Sequence, residues 1–154
     1  MADQDDRVER RHRIDSIDLE IIDMIESDCT LSYEDIAEKI GKNLWTVRDR
    51  IILLKRKGVI RGCKGIIDYS SIGMSCTSII SFNVPPDQID RILQYAKEEK
   101  RIKRITITTG ERRFWFKIVG KDCSEIREYA RNELPKFGIY NIDFEVVLDE
   151  FMKQ

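Results

Sequence analysis

Three consecutive residues, Gly41-Lys42-Asn43, constrain this chain more than any other stretch. Upstream of them Ser32 opens a segment with Ile36, Ala37 and Ile40 on one helical face, and Asp35 forms an approximate capping box. Gly41 is a natural left-handed terminator for that helix. Only Lys42 separates it from Asn43, the N-cap residue of a further helix. That helix repeats Leu44, Val47, Ile51 and Leu54 at helical spacing and stops at Gly58. Ahead of both, Ile14, Ile17, Ile21 and Met24/Ile25 define a first helix that Asp15 or Ser16 can cap. Two helices meeting at so tight a turn predict a helix-turn-helix over about residues 32–51.

The charge is distributed to match. Overall it is −1, but residues 14–38 carry nine acids and no Lys or Arg, whereas residues 39–64 carry nine bases against the single acid Asp49. A polyanion would meet a block of +8. A solvated basic helix is the competing reading of any such run; against it stand the tight turn and Trp45, an indole that the packing face does not use. With Leu44, Val47, Ile51 and Leu54 turned inward, Lys42, Asn43, Trp45, Thr46, Arg48 and Asp49 face outward. Arg48 suits guanine, Asn43 adenine, Thr46 a thymine methyl or a phosphate, and Asp49 cytosine. Arg50, Lys55 and Arg56 suit phosphates, which position a protein without reading sequence. The Arg7–Arg13 arm reads as a solvated tail, with the DNA backbone or minor groove as its other destination.

After Gly58 the helical period is lost. Val59–Asp68 reads as an extended segment. Then follow a strand (Cys76–Val84), a helix opened by Pro85-Pro86, a hairpin around Gly110-Glu111, a helix over about 123–137 and an alternating last strand ending near Leu148. The order β-α-β-β-α-β is ferredoxin-like. The expected class is therefore α+β: a helix-turn-helix domain over 14–74 and a ferredoxin-like domain over 75–150.

Other chemistries are poorly supplied. One histidine, His12, and four cysteines without a CxxC pair offer no zinc site and no nucleophile–base pair, so no metal, cofactor or catalytic residue is expected. Cys29, Cys63, Cys76 and Cys123 are expected to be reduced, since none sits in a paired motif. Phe114, Trp115 and Phe116 read as core or subunit interface. No apolar run approaches the roughly 18 residues of a membrane span, and the charged N-terminus is no secretory signal, which places the protein in the cytoplasm.

The segments Ile14-Asp15-Ser16-Ile17-Asp18-Leu19-Glu20-Ile21-Ile22, Leu31-Ser32-Tyr33-Glu34-Asp35-Ile36-Ala37, Val47-Arg48-Asp49-Arg50-Ile51 and Gly58-Val59-Ile60 resemble the N-terminal domain of Lrp/AsnC regulators. Asp68-Tyr69 and Ile72-Gly73 fit that family's domain junction, and the second half resembles its effector domain in element order. The resemblance implies a transcriptional regulator that binds double-stranded DNA, dimerises through its sheet domain and can assemble into octamers. It makes the helix beginning at Asn43 the recognition helix, with Arg50 at a typical family arginine. It also puts a small effector at the hairpin, here Thr108, Thr109, Gly110, Glu111, Arg112 and Arg113. Relatives often show Gly-x-Tyr-Asp where this chain has Gly110-Glu111-Arg112-Arg113. Gly110 permits a tight turn, and two arginines offer a planar donor fork, so a dicarboxylate such as glutamate is the expected ligand. Loss of amino-acid sensing is the alternative. Sirohaem decarboxylase subunits resemble the same architecture, and a tetrapyrrole enzyme is the competing function.

Overall fold

The computed structural model describes residues 13–151, so His12 and all of the basic arm but Arg13 lie outside it. The chain divides into two compact units between Ile66 and Ile67. Residues 67–74, assigned on sequence grounds to the first domain, go with the second. Lys103 lies over the Tyr69 ring, and the Ser75 amide donates to the Lys121 carbonyl.

In the first unit, α1 (Ser16–Ser27), α2 (Tyr33–Ile40) and α3 (Leu44–Arg56) each start on a side-chain cap. Asp15 and Ser32 form complete capping boxes with Asp18 and Asp35, and the Asn43 side chain accepts from the Thr46 amide at 2.8 Å. Both expected stops are present. At Gly41, φ is +66°, and the amides of Lys42 and Gly41 donate to the carbonyls of Ala37 and Glu38. Gly58 repeats this arrangement, its φ +70° and the amides of Val59 and Gly58 bonded to Leu54 and Lys55. These paired bonds satisfy carbonyls that a helix end leaves open. Ile21, Ile36, Ala37, Val47, Ile51 and Leu54 form the buried core. Ile14, expected to begin the apolar stripe, is exposed, because the helix starts only after Asp15.

In the second unit, β1 (Cys76–Asn83), α4 (Ile89–Glu98), β2 (Ile102–Ile107), β3 (Phe114–Gly120), α5 (Cys123–Asn132) and β4 (Tyr140–Val146) form a ferredoxin-like domain. The sheet order is β2-β3-β1-β4 with every adjacent pair antiparallel. Ile80 faces Phe116 across one pairing and Phe144 across the other, which puts all three on the helix-covered face. The rings of Phe82 and Phe116 meet edge to face at 4.9 Å, a favoured aromatic geometry. The helix expected to run to Phe137 breaks after Asn132 into a 3-10 turn over Leu134–Phe137. Pro135 lacks the amide a continuing helix needs.

The cysteines depart from expectation. Cys29–Cys63 and Cys76–Cys123 are disulfides, with Cα–Cα distances of 5.9 and 5.2 Å. Separations of 34 and 47 residues hide such pairs from any motif search, because only folding brings the partners together.

Candidate nucleic-acid interface

Helix α3 follows α2 after the three-residue turn Gly41-Lys42-Asn43, and its two faces are chemically distinct. Val47, Ile51 and Leu54 are buried, while Trp45, Arg48, Asp49 and Arg56 are exposed. At 3.6 residues per turn those four share one stripe, opposite the packing face. Trp45 is 65% exposed, an unusual position for an indole, and the Arg48 guanidinium lies over it at 5.5 Å from the ring centroid. The stacking holds a cation and a flat apolar surface side by side at the N-terminal end of the helix. Lys42 and half-buried Thr46 flank them.

Two residues from the expected set, Arg50 and Asn43, have side chains committed within the domain. Arg50 turns inward: its Nη1 donates to Asp15 at 2.7 and 2.8 Å and to Asp18 at 2.9 Å. Asp18 is fully buried, so this arginine neutralises a carboxylate inside the domain instead of meeting a phosphate. Hydrogen bonding to Arg50 holds the Asp15 carboxyl below the usual range, and the Arg50 guanidinium is shifted up in turn. Asn43 spends its side-chain oxygen on the Thr46 amide, which competes with the oxygen-plus-amide grip needed to read adenine. Lys55 is exposed one heptad after Arg48, and it also lines a cavity beside Ile51. Helical periodicity puts Arg50 at the boundary of the packing face, where spacing alone does not decide which way a long side chain turns.

The hairpin between β2 and β3 brings Thr108, Thr109, Gly110, Glu111, Arg112 and Arg113 together, though not as an open donor nest. Asn83 braces it, donating to the Glu111 carbonyl at 2.8 Å and accepting from the Arg113 amide at 3.0 Å. The Gly110 amide is directed at the Thr108 hydroxyl at 3.4 Å, and Gly110 is absent from the glycines with positive φ. Its left-handed freedom is therefore not used in this turn. Arg112 donates to the Asn141 carbonyl and pairs with Asp143 at 3.4 Å. Of the two arginines, Arg113 is the more exposed. The Trp115 indole donates to the Arg112 carbonyl at 2.9 Å, a contact that alternation along the strand does not reveal.

Three capped helices with a tight turn, fused to a ferredoxin-like sheet, define a helix-turn-helix regulator with a separate α+β domain. A winged helix-turn-helix DNA-binding model matches residues 14–61. The HTH-type transcriptional regulator Ptr1 of Methanocaldococcus jannaschii is 30% identical over 98 residues, 64% of this chain and 66% of that protein. The HTH-type transcriptional regulator LrpA of Pyrococcus horikoshii is 22% identical over 138 residues, 89% and 98% of the two chains. Among solved structures, Bacillus subtilis LrpC superposes with a TM-score of 0.79 at 20% identity, covering 93% of this chain and 100% of that one. A transcriptional regulator from Neisseria meningitidis, solved with L-Met, gives 0.80 at 14% identity over 92% and 94%. The chain belongs to the Lrp/AsnC family of regulators.

Proposed function

We propose that this DNA-binding transcriptional regulator reads promoter DNA with the N-terminal half of α3, as a dimer joined through its second unit. The supporting observation is the Trp45–Arg48 pair, exposed together directly after the Asn43 cap. Arg48 and Asp49 are the base-reading residues, Trp45 and Thr46 fill the groove wall, and Lys42 and Arg56 hold phosphates. Ptr1, LrpA and the Neisseria meningitidis protein are named as transcriptional regulators, which favours this reading over a tetrapyrrole enzyme. A cytoplasmic location fits a protein that acts on DNA. In the described residues no helix is long and apolar enough to cross a membrane.

Dimerisation is supported by apolar side chains that one copy leaves in water: Ile107, Tyr140, Ile142, Val146 and Leu148 in or beside the edge strands. The effector reading rests on the hairpin and on the L-Met-bound neighbour. With Arg112 already paired to Asp143, Arg113 is the cation left to meet an acidic effector, so the ligand is an amino acid or a dicarboxylate held at Arg113.

Selection of bound genomic fragments by the full chain, with and without added amino acids, tests the reading. One enriched promoter motif, lost in Arg48→Ala, is the expected result. Enrichment no better than random DNA would overturn it.

A further inference from the structure

The first unit contains a cavity of about 480 Å³ whose lining includes neither Trp45 nor Arg48. Its volume falls in the roughly 300–1,000 Å³ range of small-molecule sites. Ile36, Ile51 and Ile60 supply apolar walls, Tyr33 adds a hydroxyl, and Lys55 and Arg61 bring two cations. Among the described residues, no acidic side chain lines it. The Cys29–Cys63 bridge closes one edge, pinning the segment after α3 to the turn between α1 and α2.

This composition is asymmetric in a way a collapsed core is not. Two cations gathered at an apolar hollow, without a lining carboxylate, are complementary to a molecule with an apolar body and one anionic head. A neutral apolar ligand would leave both cations without a counter-charge, and a small inorganic anion would leave the isoleucine walls in water. We propose that this cavity binds an amphipathic organic anion, an aliphatic carboxylate, with its chain against Ile36, Ile51 and Ile60 and its carboxylate between Lys55 and Arg61. The site touches α2 through Tyr33 and Ile36 and α3 through Ile51 and Lys55, so its occupant contacts both helices of the DNA-reading motif. Any preference of the carboxylate for one arrangement of those helices must appear, reciprocally, as a change in DNA affinity.

Calorimetric titration of the full chain with octanoate and with octan-1-ol is the test. Octanoate should saturate one site per chain, with octan-1-ol at least about tenfold weaker, on the scale of one lost charge-assisted contact. Lys55→Gln with Arg61→Gln should weaken octanoate by at least the same factor, and Ile60→Trp, which fills the hollow, should abolish binding. Circular dichroism verifies that each variant is folded. Equal binding of the alcohol, heat that never saturates, or affinity untouched by both sets of variants would each overturn the proposal. In the last case the ligand sits elsewhere, and in the second it acts as a detergent.

Discussion

Arg50 donates to both carboxylate oxygens of Asp15, at 2.7 and 2.8 Å, and so clamps α3 to the cap of the first helix. The same Nη1 reaches buried Asp18, whose other oxygen accepts from the Asp15 amide. One cation thus serves two carboxylates, one of them without access to water. An arginine on α3 acts here as a strut.

Arg48 and Arg50, two residues apart, should therefore fail in opposite ways. Arg50→Gln removes the Nη1 donor from the buried Asp18 carboxylate. Breaking a buried pair costs about 3–5 kcal/mol, reduced here to about 2–3 because Arg50 and Asp15 are partly exposed. Arg48→Gln should leave stability within about 0.5 kcal/mol and weaken operator binding by about 1–3 kcal/mol. Urea unfolding and binding titrations on both variants measure the split; equal stability losses would contradict it.

Acid should loosen the same joint. The Asp15 carboxyl is held below its ordinary value of about 3.9, chiefly by Arg50. A depressed carboxylate stabilises above its unfolded value and loses that contribution as pH falls through the folded one. Melting temperature followed from neutral pH to about pH 3 should fall more steeply for the parent than for Arg50→Gln, since Arg50→Gln has already lost the pair. Parallel curves would remove the argument.

The two disulfides should differ in accessibility. Cys63 is exposed, whereas Cys76 is 2% exposed at the start of the interior strand β1. Under mild dithiothreitol, alkylation followed by mass spectrometry should label Cys29 and Cys63 before Cys76 and Cys123. Loops of 34 and 47 residues place the stabilisation by each bridge at about 3–4 kcal/mol in the chain-entropy model. Simultaneous labelling of all four thiols, or Cys76 first, would be the contrary result.

Gly120 and Gly110 separate packing from turn chemistry. A Cβ on Gly120 would lie 2.7 Å from the Ile126 side chain, which is fully buried. Gly120→Ala should cost about 1–3 kcal/mol through overpacking. At Gly110 the nearest atom is 3.6 Å away and no unusual φ is required, so Gly110→Ala should change stability by less than about 0.5 kcal/mol. Thermal denaturation of the two variants decides the matter.

What the sequence by itself determined is local. Ser32, Asp35, Gly41, Asn43 and Gly58 act on backbone groups within a few residues, so helix starts and stops could be read directly. The inward stripe of Val47, Ile51 and Leu54 followed from helical period, and the family resemblance from the same short segments. Element order was enough for the ferredoxin-like half because its strands alternate and its breaks carry Pro or Gly. Tertiary structure alone decided where long, charged or sulfur-bearing side chains end. Arg50 and Arg48 are the same residue on the same helix, yet one finds Asp15 and Asp18 across a fold, and the other finds Trp45 one turn away. Arg112 met Asp143 on another strand, and the cysteines met partners 34 and 47 residues distant. Such contacts depend on which surfaces folding brings within about 4 Å, a distance that chain spacing does not encode.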